Sequence, residues 1–438
     1  MDRYLADLIS TGKAPSVAVA VVRNGKVVYA KGFGFADLEN NVPAAPHTVY
    51  RLGSITKQFT ATMIMQLVYE GKLRLDELVI SVLPDSPKGW AKVTVRNLLN
   101  HTSGIKSYTE IPGIFADAAL KPVTPAGILK TVNSFPLDFE PGSAWHYDNS
   151  GYEVLGLIIE KLDARKYEAS LRARILKPLG MSETYFTSER TVVKGRAQGY
   201  SPMGTGFQHA LYLNMGWPYA AGSMESTVLD LAKWDAALYG DAILPQASLN
   251  QMWTKTVLTN GKVQAYGFGW SLGTIEGVQL VEHGGGIHGF TTFIRRAPSK
   301  ALTVIVLSNS DAAPSQDIAT KVMGLADATL RVMPAKPIKD DAPAKTKLAR
   351  ETMQSILDDK LDTTKFTPEF AKTLTPDLIK GAAKQFGALG KLTRFELTSG
   401  EAKNGFETRT YRMTLGTTDF LVTVVIDKDG LISNLDVK

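Results

Sequence analysis

The sequence predicts a mixed α/β (α+β) protein with one antiparallel sheet flanked by helices, a helical subdomain and a small carboxy-terminal α+β domain. Three observations predict this architecture. Strand patterns lie near both ends of residues 1–330, so that the two ends of this stretch close one sheet, and helical patterns lie between them. A charged stretch with three prolines at 333–347 then separates a second set of helical and strand patterns.

The amino-terminal part predicts a hairpin followed by a long helix. Residues 16–34 contain two apolar runs around Asn24-Gly25, the dipeptide typical of a two-residue hairpin turn. From Ser54 to Gly71, apolar residues recur at four-residue steps and a glycine ends the run. This pattern predicts an amphipathic or buried helix with Ser54 in its first turn.

The middle of the first domain has helical patterns, whereas its end has strand patterns. Residues 152–162 and 227–238 predict helices of a helical subdomain, with long polar loops between them. From Ala265 the pattern changes to short strands, including a first strand over 266–276, spaced like an antiparallel meander.

The carboxy-terminal stretch predicts an independent module. A helical pattern continues to residue 390, and four alternating segments then surround turns at Asn404-Gly405 and Asp429-Gly430. The predicted parts are a first domain at 1–332, a linker at 333–347 and an accessory α+β domain at 348–438. The sequence indicates no chemical role for this accessory domain.

Composition narrows the functional classes. The 49 Lys and Arg residues exceed the 43 Asp and Glu residues by six, but they are scattered, which argues against a nucleic-acid partner. The absence of cysteine excludes disulfides, thiolate metal sites and a thiol nucleophile, and the six histidines lack metal-binding spacing. We therefore expect no metal and no cofactor, and a small molecule as the partner.

The sequence predicts no membrane span, because no window approaches the roughly 18 apolar residues that a span needs. The first residues also lack the apolar core of a signal peptide. We expect a periplasmic or secreted protein if a signal peptide has been removed, and a cytoplasmic one otherwise. Oligomeric state is not predicted.

A Ser-x-x-Lys triplet places a hydroxyl and an amine on one face of a helix, where a buried amine can accept the hydroxyl proton. The sequence has three such triplets. The triplets beginning at Ser10 and Ser103 lie beside a helix stop and in a glycine-containing turn. Only Ser54-Ile-Thr-Lys57 begins a long apolar helix, whose free N–H groups can stabilise an oxyanion. We therefore predict Ser54 as the nucleophile and Lys57 as its base.

Two further segments contain a tyrosine that is a candidate for proton transfer, each with an asparagine two residues later. Tyr147 and Asn149 place a phenol and an amide just before a predicted helix, while Tyr212 and Asn214 form a competing match in a weakly patterned loop. We favour the first of these pairs for proton transfer.

The third element is His283 at the end of an apolar strand, followed by Gly284, Gly285 and Gly286. Three glycines let the backbone approach a ligand closely, so a substrate carbonyl could pair there. A G-x-G-x-x-G match ending at Gly289 is followed by strands instead of a helix, which argues against a dinucleotide site.

Together these elements resemble serine β-lactamases, penicillin-binding DD-peptidases and their esterase and D-aminopeptidase relatives. The flanking segments RLGSITKQFTA, LLNHTSGI and AAGSMESTVLDLAKW extend the resemblance over roughly residues 5–330. It implies a β-lactamase/transpeptidase-like fold. It also implies that Ser54 is acylated, that Lys57 is the general base, that Tyr147 shuttles protons, and that Asn149 binds Lys57 and substrate. The implied oxyanion hole consists of the backbone N–H groups of Ser54 and Gly286.

One departure affects the expected substrate. Many β-lactamases and DD-peptidases of this superfamily carry Lys-Thr-Gly or Lys-Ser-Gly where this chain has His283-Gly284-Gly285, so a fixed cation is replaced by a titratable imidazole. The sequence resembles the esterase and aminopeptidase branch more closely, and it has no counterpart of the deacylating Glu of class A β-lactamases. We expect a serine hydrolase acting on carboxylic esters or amides. The alternatives are a β-lactamase or DD-carboxypeptidase, and a penicillin-binding sensor protein without turnover.

Overall fold

The computed structural model describes residues 1–114, 118–188, 190–204, 206–332, 336–403, 405–416 and 418–437. The chain divides into two units, Met1–Val332 and Met333–Lys438. In the described ranges no helix has both the length and the apolar character that crossing a membrane requires.

The first unit alternates strands and helices along the chain. Its α-helices are α1 (Asp2–Ser10), α2 (Thr56–Tyr69), α3 (Val79–Val82), α4 (Val95–Leu99), α5 (Pro125–Val132), α6 (Asn149–Asp163), α7 (Tyr167–Leu171), α8 (Tyr219–Gly222), α9 (Val228–Ala237), α10 (Gln246–Met252) and α11 (Ser315–Ala326). Its strands are β1 (Ser16–Arg23), β2 (Lys26–Asp37), β3 (Val42–Pro43), β4 (Tyr50–Arg51), β5 (Tyr185–Phe186), β6 (Tyr200–Met203), β7 (Gly206–His209), β8 (Met224–Ser226), β9 (Thr256–Val257), β10 (Val263–Gln264), β11 (Ser271–Ile275), β12 (Val278–Ile287), β13 (Phe290–Ala297) and β14 (Leu302–Ser308).

The main sheet has seven antiparallel strands in the order β11-β12-β13-β14-β1-β2-β3. The first strand of the chain therefore lies inside the sheet, and Val17 is paired with both Ser308 of β14 and Phe33 of β2. This arrangement confirms the predicted mixed fold in which the two ends of residues 1–330 close one sheet. The hairpin of β1 and β2 is also confirmed, with positive φ angles of 50° at Asn24 and 70° at Gly25 as its turn requires.

Helices cover both faces of this sheet. Val17 and Val19 of β1 belong to the same buried cluster as residues of α1 and α11, whereas Ala18 and Ala20 belong to the cluster formed by α2, α6 and α9. The alternation follows from the two-residue period of a strand. Helix α2 is buried on all sides, since every side chain from Thr56 to Met65 is buried, so the buried alternative for this helix is the one observed.

The predicted strand over 266–276 is shorter than expected. Only Ser271–Ile275 form strand β11. The preceding residues turn back on themselves, because the N–H of Gly267 donates to the carbonyl oxygen of Trp270 at 2.8 Å. This turn brings Tyr266 beside the candidate site instead of into the sheet.

The second unit packs helices on a four-stranded meander. The helices are α12 (Pro343–Leu357), α13 (Pro368–Ala371) and α14 (Pro376–Gly387), and the strands, in sheet order, are β15 (Leu392–Lys403), β16 (Phe406–Leu415), β17 (Thr418–Ile426) and β18 (Ile432–Val437). Met353 of α12 is buried in one cluster with Tyr411 and Met413 of β16. A carboxy-terminal α+β module is therefore present, as the sequence predicts.

The stretch predicted as a linker is structured where it is described. Residues 333–335 and the turn residue Asn404 lie outside the described residues. Pro343 begins helix α12, because proline suits the first helical position, so residues 343–347 are helical. Upstream, the buried guanidinium of Arg409 pairs with Asp340 and Asp341, each at 2.8 Å, which fixes this segment to the sheet of the second unit.

Candidate active site

Ser54 lies on a 3-10 turn, Gly53–Ile55, that leads directly into α2. Strand β12 packs against this turn backbone to backbone. A Cβ atom on Gly285 would lie 1.9 Å from the carbonyl oxygen of Leu52, so only glycine fits there. This close approach places Ser54 and Gly286 on the wall of the same cavity.

Lys57 lies one helical turn after Ser54 and is fully buried. Its Nζ contacts Oγ of Ser54 at 3.1 Å, Oδ1 of Asn149 at 2.8 Å and the carbonyl oxygen of Ala221 at 3.0 Å. Burial lowers the pKa of Lys57 to about 7, although the nearby carboxyls of Glu153 and Asp148 act in the opposite direction. The three contacts suit a neutral amine, which donates to the amide and carbonyl oxygens and accepts the Ser54 proton on its lone pair.

Tyr147 is a further contact of Ser54. Its phenol is hydrogen-bonded to Ser54, and burial raises the pKa of Tyr147 above its usual value, so the phenol keeps its proton. Nζ of Lys57 lies 4.8 Å from the centre of the Tyr147 ring. The Ser54 hydroxyl therefore lies between a base and a neutral acid.

Asn149, at the start of α6, accepts a hydrogen bond from the Lys57 amine. Its Nδ2 donates to Oγ1 of Thr109 at 3.2 Å, which orients Oδ1 toward Lys57. The helix start is fixed by Asp148, whose side chain accepts the N–H of Gly151 at 2.9 Å as an N-cap.

His283 is placed differently from Ser54, Lys57, Tyr147 and Asn149. It is 5% exposed and is not among the residues that line the cavity beside Ser54. Its Nδ1–H donates to the carbonyl oxygen of Gly284 at 2.6 Å, and its Nε2 accepts the hydroxyl of Tyr266 at 2.8 Å. Burial and the Lys57 charge lower the pKa of His283 to about 4, so the imidazole is neutral near pH 7.

The residues of the competing motif matches are exposed or have other partners. Ser10 is exposed. Ser103 binds the side chain of Asp148, while Lys106 forms ion pairs with surface carboxylates. Tyr212 is 49% exposed, and Oδ1 of Asn214 accepts the backbone N–H of Gly216 at 3.0 Å.

A small cavity of about 170 Å³ opens beside Ser54. It is smaller than the roughly 300–1,000 Å³ of pockets for drug-sized ligands. The lining contains no lysine, arginine, aspartate or glutamate among the described residues. The lining residues are Gly53, Ser54, Tyr108, Thr109, Asn149, Leu213, Pro218, Ala221, Gly222, Gly286, Ile287 and His288.

Similarity to known proteins shows the family of this chain. The family model described as Beta-lactamase matches residues 1–328. The chain belongs to the β-lactamase family. Among its relatives, a penicillin-binding protein of Bacillus subtilis (strain 168) is 31% identical over 309 residues, which cover 67% of this chain and 68% of that protein. PbpX of the same organism is 32% identical over 270 residues, which cover 62% of this chain and 64% of PbpX, just under two thirds of its length.

Solved structures of the β-lactamase fold match both parts of the chain. A D-stereospecific amidohydrolase from Streptomyces sp. is 29% identical, with a TM-score of 0.63 over 73% of this chain and 96% of that one. An octameric penicillin-binding protein homologue from Pyrococcus abyssi covers 100% of this chain and 99% of its own, with a TM-score of 0.67. At 24% identity this second likeness shows the fold alone.

Sequence reasoning missed three groups beside the site of this β-lactamase family member. Asp148 could have been found, because Asp before a helical run is a typical N-cap. Glu153 gave a weak signal, as a charged residue within the apolar run of α6. Tyr266 gave none, because its segment resembled a strand.

Proposed function

We propose that the chain is a serine hydrolase that cleaves carboxylic esters or amides through an acyl-enzyme on Ser54. The observation that carries this proposal is the contact of 3.1 Å between Nζ of Lys57 and Oγ of Ser54, with the pKa of Lys57 lowered to about 7. A base with a pKa near the working pH is the most effective one for activating a hydroxyl.

In the proposed acylation, Lys57 takes the Ser54 proton while Oγ forms a bond to the substrate carbonyl carbon. The backbone N–H groups of Ser54 and Gly286 are proposed to hold the resulting oxyanion. Tyr147 gives its proton to the leaving alcohol or amine as the carbon–heteroatom bond breaks, and Lys57 returns a proton to Tyr147. Deacylation runs these transfers in reverse, with water in place of the alcohol or amine. Tyr147 accepts a proton from water and passes its own to Lys57 as the water oxygen bonds to the acyl carbon, and Lys57 returns a proton to Ser54 Oγ as the acid leaves.

The cavity favours uncharged acyl groups. A substrate carboxylate is best bound by a fixed cation, but the described lining offers no lysine or arginine. The basic group among the lining residues is the imidazole of His288, which is not a fixed charge, and the buried imidazole of His283 is neutral near pH 7. Leu213, Pro218 and Ile287 supply apolar surface. These features support the ester and amide branch over β-lactam or D-alanyl carboxylate substrates, and the Streptomyces neighbour is an amidohydrolase by name.

The penicillin-binding relatives support a second candidate function, in which the protein is acylated by β-lactams without turnover. One experiment separates the two. Hydrolysis of p-nitrophenyl butyrate, D-alanine p-nitroanilide and nitrocefin is measured with the unmodified chain, Ser54→Ala and Ser10→Ala, and intact masses are recorded after incubation with penicillin.

We expect turnover of the ester or the anilide that Ser54→Ala abolishes and Ser10→Ala retains, since Ser10 is the exposed serine of another Ser-x-x-Lys triplet. A stable penicilloyl adduct on Ser54 without turnover of any substrate would establish the binding protein instead. Equal turnover by Ser54→Ala and the unmodified chain would contradict both.

A further inference from the structure

A buried carboxyl beside the site has no part in the reaction proposed above. Glu153 lies on α6 one turn after Asn149, and these positions share one face of the helix. Its exposure is 0%. Neither side-chain oxygen of Glu153 has a hydrogen-bond partner among the residues that the structure describes.

Titratable groups on several neighbouring elements interact electrostatically with Glu153. Lys57 of α2 is the basic group, and Asp148, before α6, is a second carboxyl. The phenols that experience the Glu153 charge are Tyr108, Tyr167 on α7 and Tyr219 on α8.

The backbone of Ala221 lies between Glu153 and Lys57. Its carbonyl oxygen accepts from Nζ of Lys57 at 3.0 Å. Its N–H acts to lower the pKa of Glu153, but it donates its hydrogen bond to the carbonyl oxygen of Pro218 at 2.8 Å and so does not satisfy the carboxyl oxygens. Burial raises the pKa of Glu153 well above its usual value, whereas the Lys57 charge acts to lower it.

A carboxyl in such a place is costly to the fold, because an apolar side chain of similar size would fill the position without a buried polar group. The neighbours Val154 and Leu155 on α6 are buried apolar residues. What the carboxyl offers is electrostatic: its ionised form favours the Lys57 ammonium, and the ammonium favours the ionised carboxyl, so the protonation of each group depends on the other.

We infer that Glu153 is a positioning residue that sets the proton affinity of Lys57, keeping the buried amine basic enough to accept the Ser54 proton. This inference rests on the proposed roles of Ser54 and Lys57. It assigns the carboxyl to the tuning of the base, without contact with substrate.

The test measures the rate at which a fluorophosphonate probe labels Ser54 between pH 5 and pH 9, which needs no knowledge of the preferred ester or amide. In Glu153→Gln we expect the acid limb of the pH–rate profile to move down by about one pH unit, the size of effect that a nearby opposite charge has. The plateau rate should fall several-fold because the base is weaker. Glu153→Met, of similar volume, should show the same displacement if Glu153→Gln folds poorly.

Glu153→Asp keeps a carboxyl, so the acid limb of its pH–rate profile should lie closer to that of the unmodified chain than the limb of Glu153→Gln does. A purely structural role of Glu153 would not require this difference. Asp148→Asn is measured alongside, since burial raises the pKa of Asp148 to about 7 and its titration falls in the same range. An unmoved limb in both Glu153→Gln and Glu153→Met overturns the inference and leaves the proposed function standing. Failure of the probe to label the unmodified chain at any pH overturns the proposed function itself.

Discussion

Nζ of Lys57 lies 2.8 Å from Oδ1 of Asn149, so the first turn of α2, directly after Ser54, is joined to the start of α6. The acceptor is uncharged, and this leaves burial as the main influence on the Lys57 pKa. Replacing the amide by a carboxylate tests this relationship directly.

We predict that Asn149→Asp raises the Lys57 pKa, because a carboxylate favours the ammonium form. The value of kcat/KM for p-nitrophenyl butyrate at pH 7 should fall about tenfold or more and recover as the pH is raised. Asn149→Ala is the control, since it removes the contact without adding a charge. A loss of activity that is the same at every pH in Asn149→Asp would argue against this account.

The unmodified chain should lose activity as the pH falls through about 7, the pKa of Lys57. The sign follows from the proposed role: the amine is a base only when deprotonated, so protonation below pH 7 removes the active form. Lys57→Met should lower kcat/KM about 10²- to 10⁴-fold and flatten this limb. The pH profile of p-nitrophenyl butyrate hydrolysis measures both effects, and circular dichroism confirms that the variant is folded.

Tyr147→Phe should affect amides more than activated esters. An amine leaving group needs a proton, whereas p-nitrophenolate leaves without one, so removal of the phenol should cost roughly 10²-fold or more on an anilide and less on the nitrophenyl ester. Acylation rates for the two substrates, measured by stopped flow, give this ratio. Equal losses on both would indicate that Tyr147 only orients Ser54.

Two adjacent glycines should respond differently to alanine. On Gly285 a Cβ would meet the carbonyl oxygen of Leu52 at 1.9 Å, whereas on Gly286 it would meet no atom within 4 Å. Gly285→Ala should therefore disrupt the approach of β12 to Ser54 and lower kcat/KM at least tenfold, or lower the melting temperature by about 1–2 °C for each kcal/mol lost, the scale for a unit of this size. Gly286→Ala should stay near the unmodified chain in melting temperature, and the reverse order would contradict this packing.

The size of the cavity predicts a preference for short acyl chains. With about 170 Å³ available, p-nitrophenyl butyrate should be a better substrate than the octanoate. Leu213→Ala enlarges the lining and should raise the octanoate-to-butyrate ratio of kcat/KM roughly 3- to 10-fold. Leu211→Ala is a matched control, since Leu211 is 76% exposed and does not line the cavity. An unchanged ratio in Leu213→Ala would place the acyl group elsewhere.

Much of this organisation could be predicted from local sequence signals. The Asn24-Gly25 turn, the apolar periodicity after Ser54 and the alternation of the later strands each depend on neighbouring residues, and each is present in the structure. The convergence of Ser54, Lys57, Tyr147 and Asn149 was expected from the resemblance, and the structure places them within contact.

What could not be predicted depends on contacts between residues far apart in the sequence. The sequence predicts His283 as a substrate-binding residue, and this stays a prediction, but it gives no sign of the orientation of the ring. That orientation follows from the Tyr266 hydroxyl, which a turn outside the strand pattern brings to it. The burial of Glu153 likewise depends on how α2, α6, α7 and α8 pack around its side chain. No local pattern carries this information.

The inner position of β1 also affects how the chain is made. Val17 cannot find its partner Ser308 until that residue has left the ribosome, and at about 5–20 residues per second this takes roughly 15–60 s. During this interval one edge of an apolar strand stays open, which is the kind of surface that aggregates or recruits a chaperone. A nascent chain stopped before β14 would keep that edge of β1 exposed.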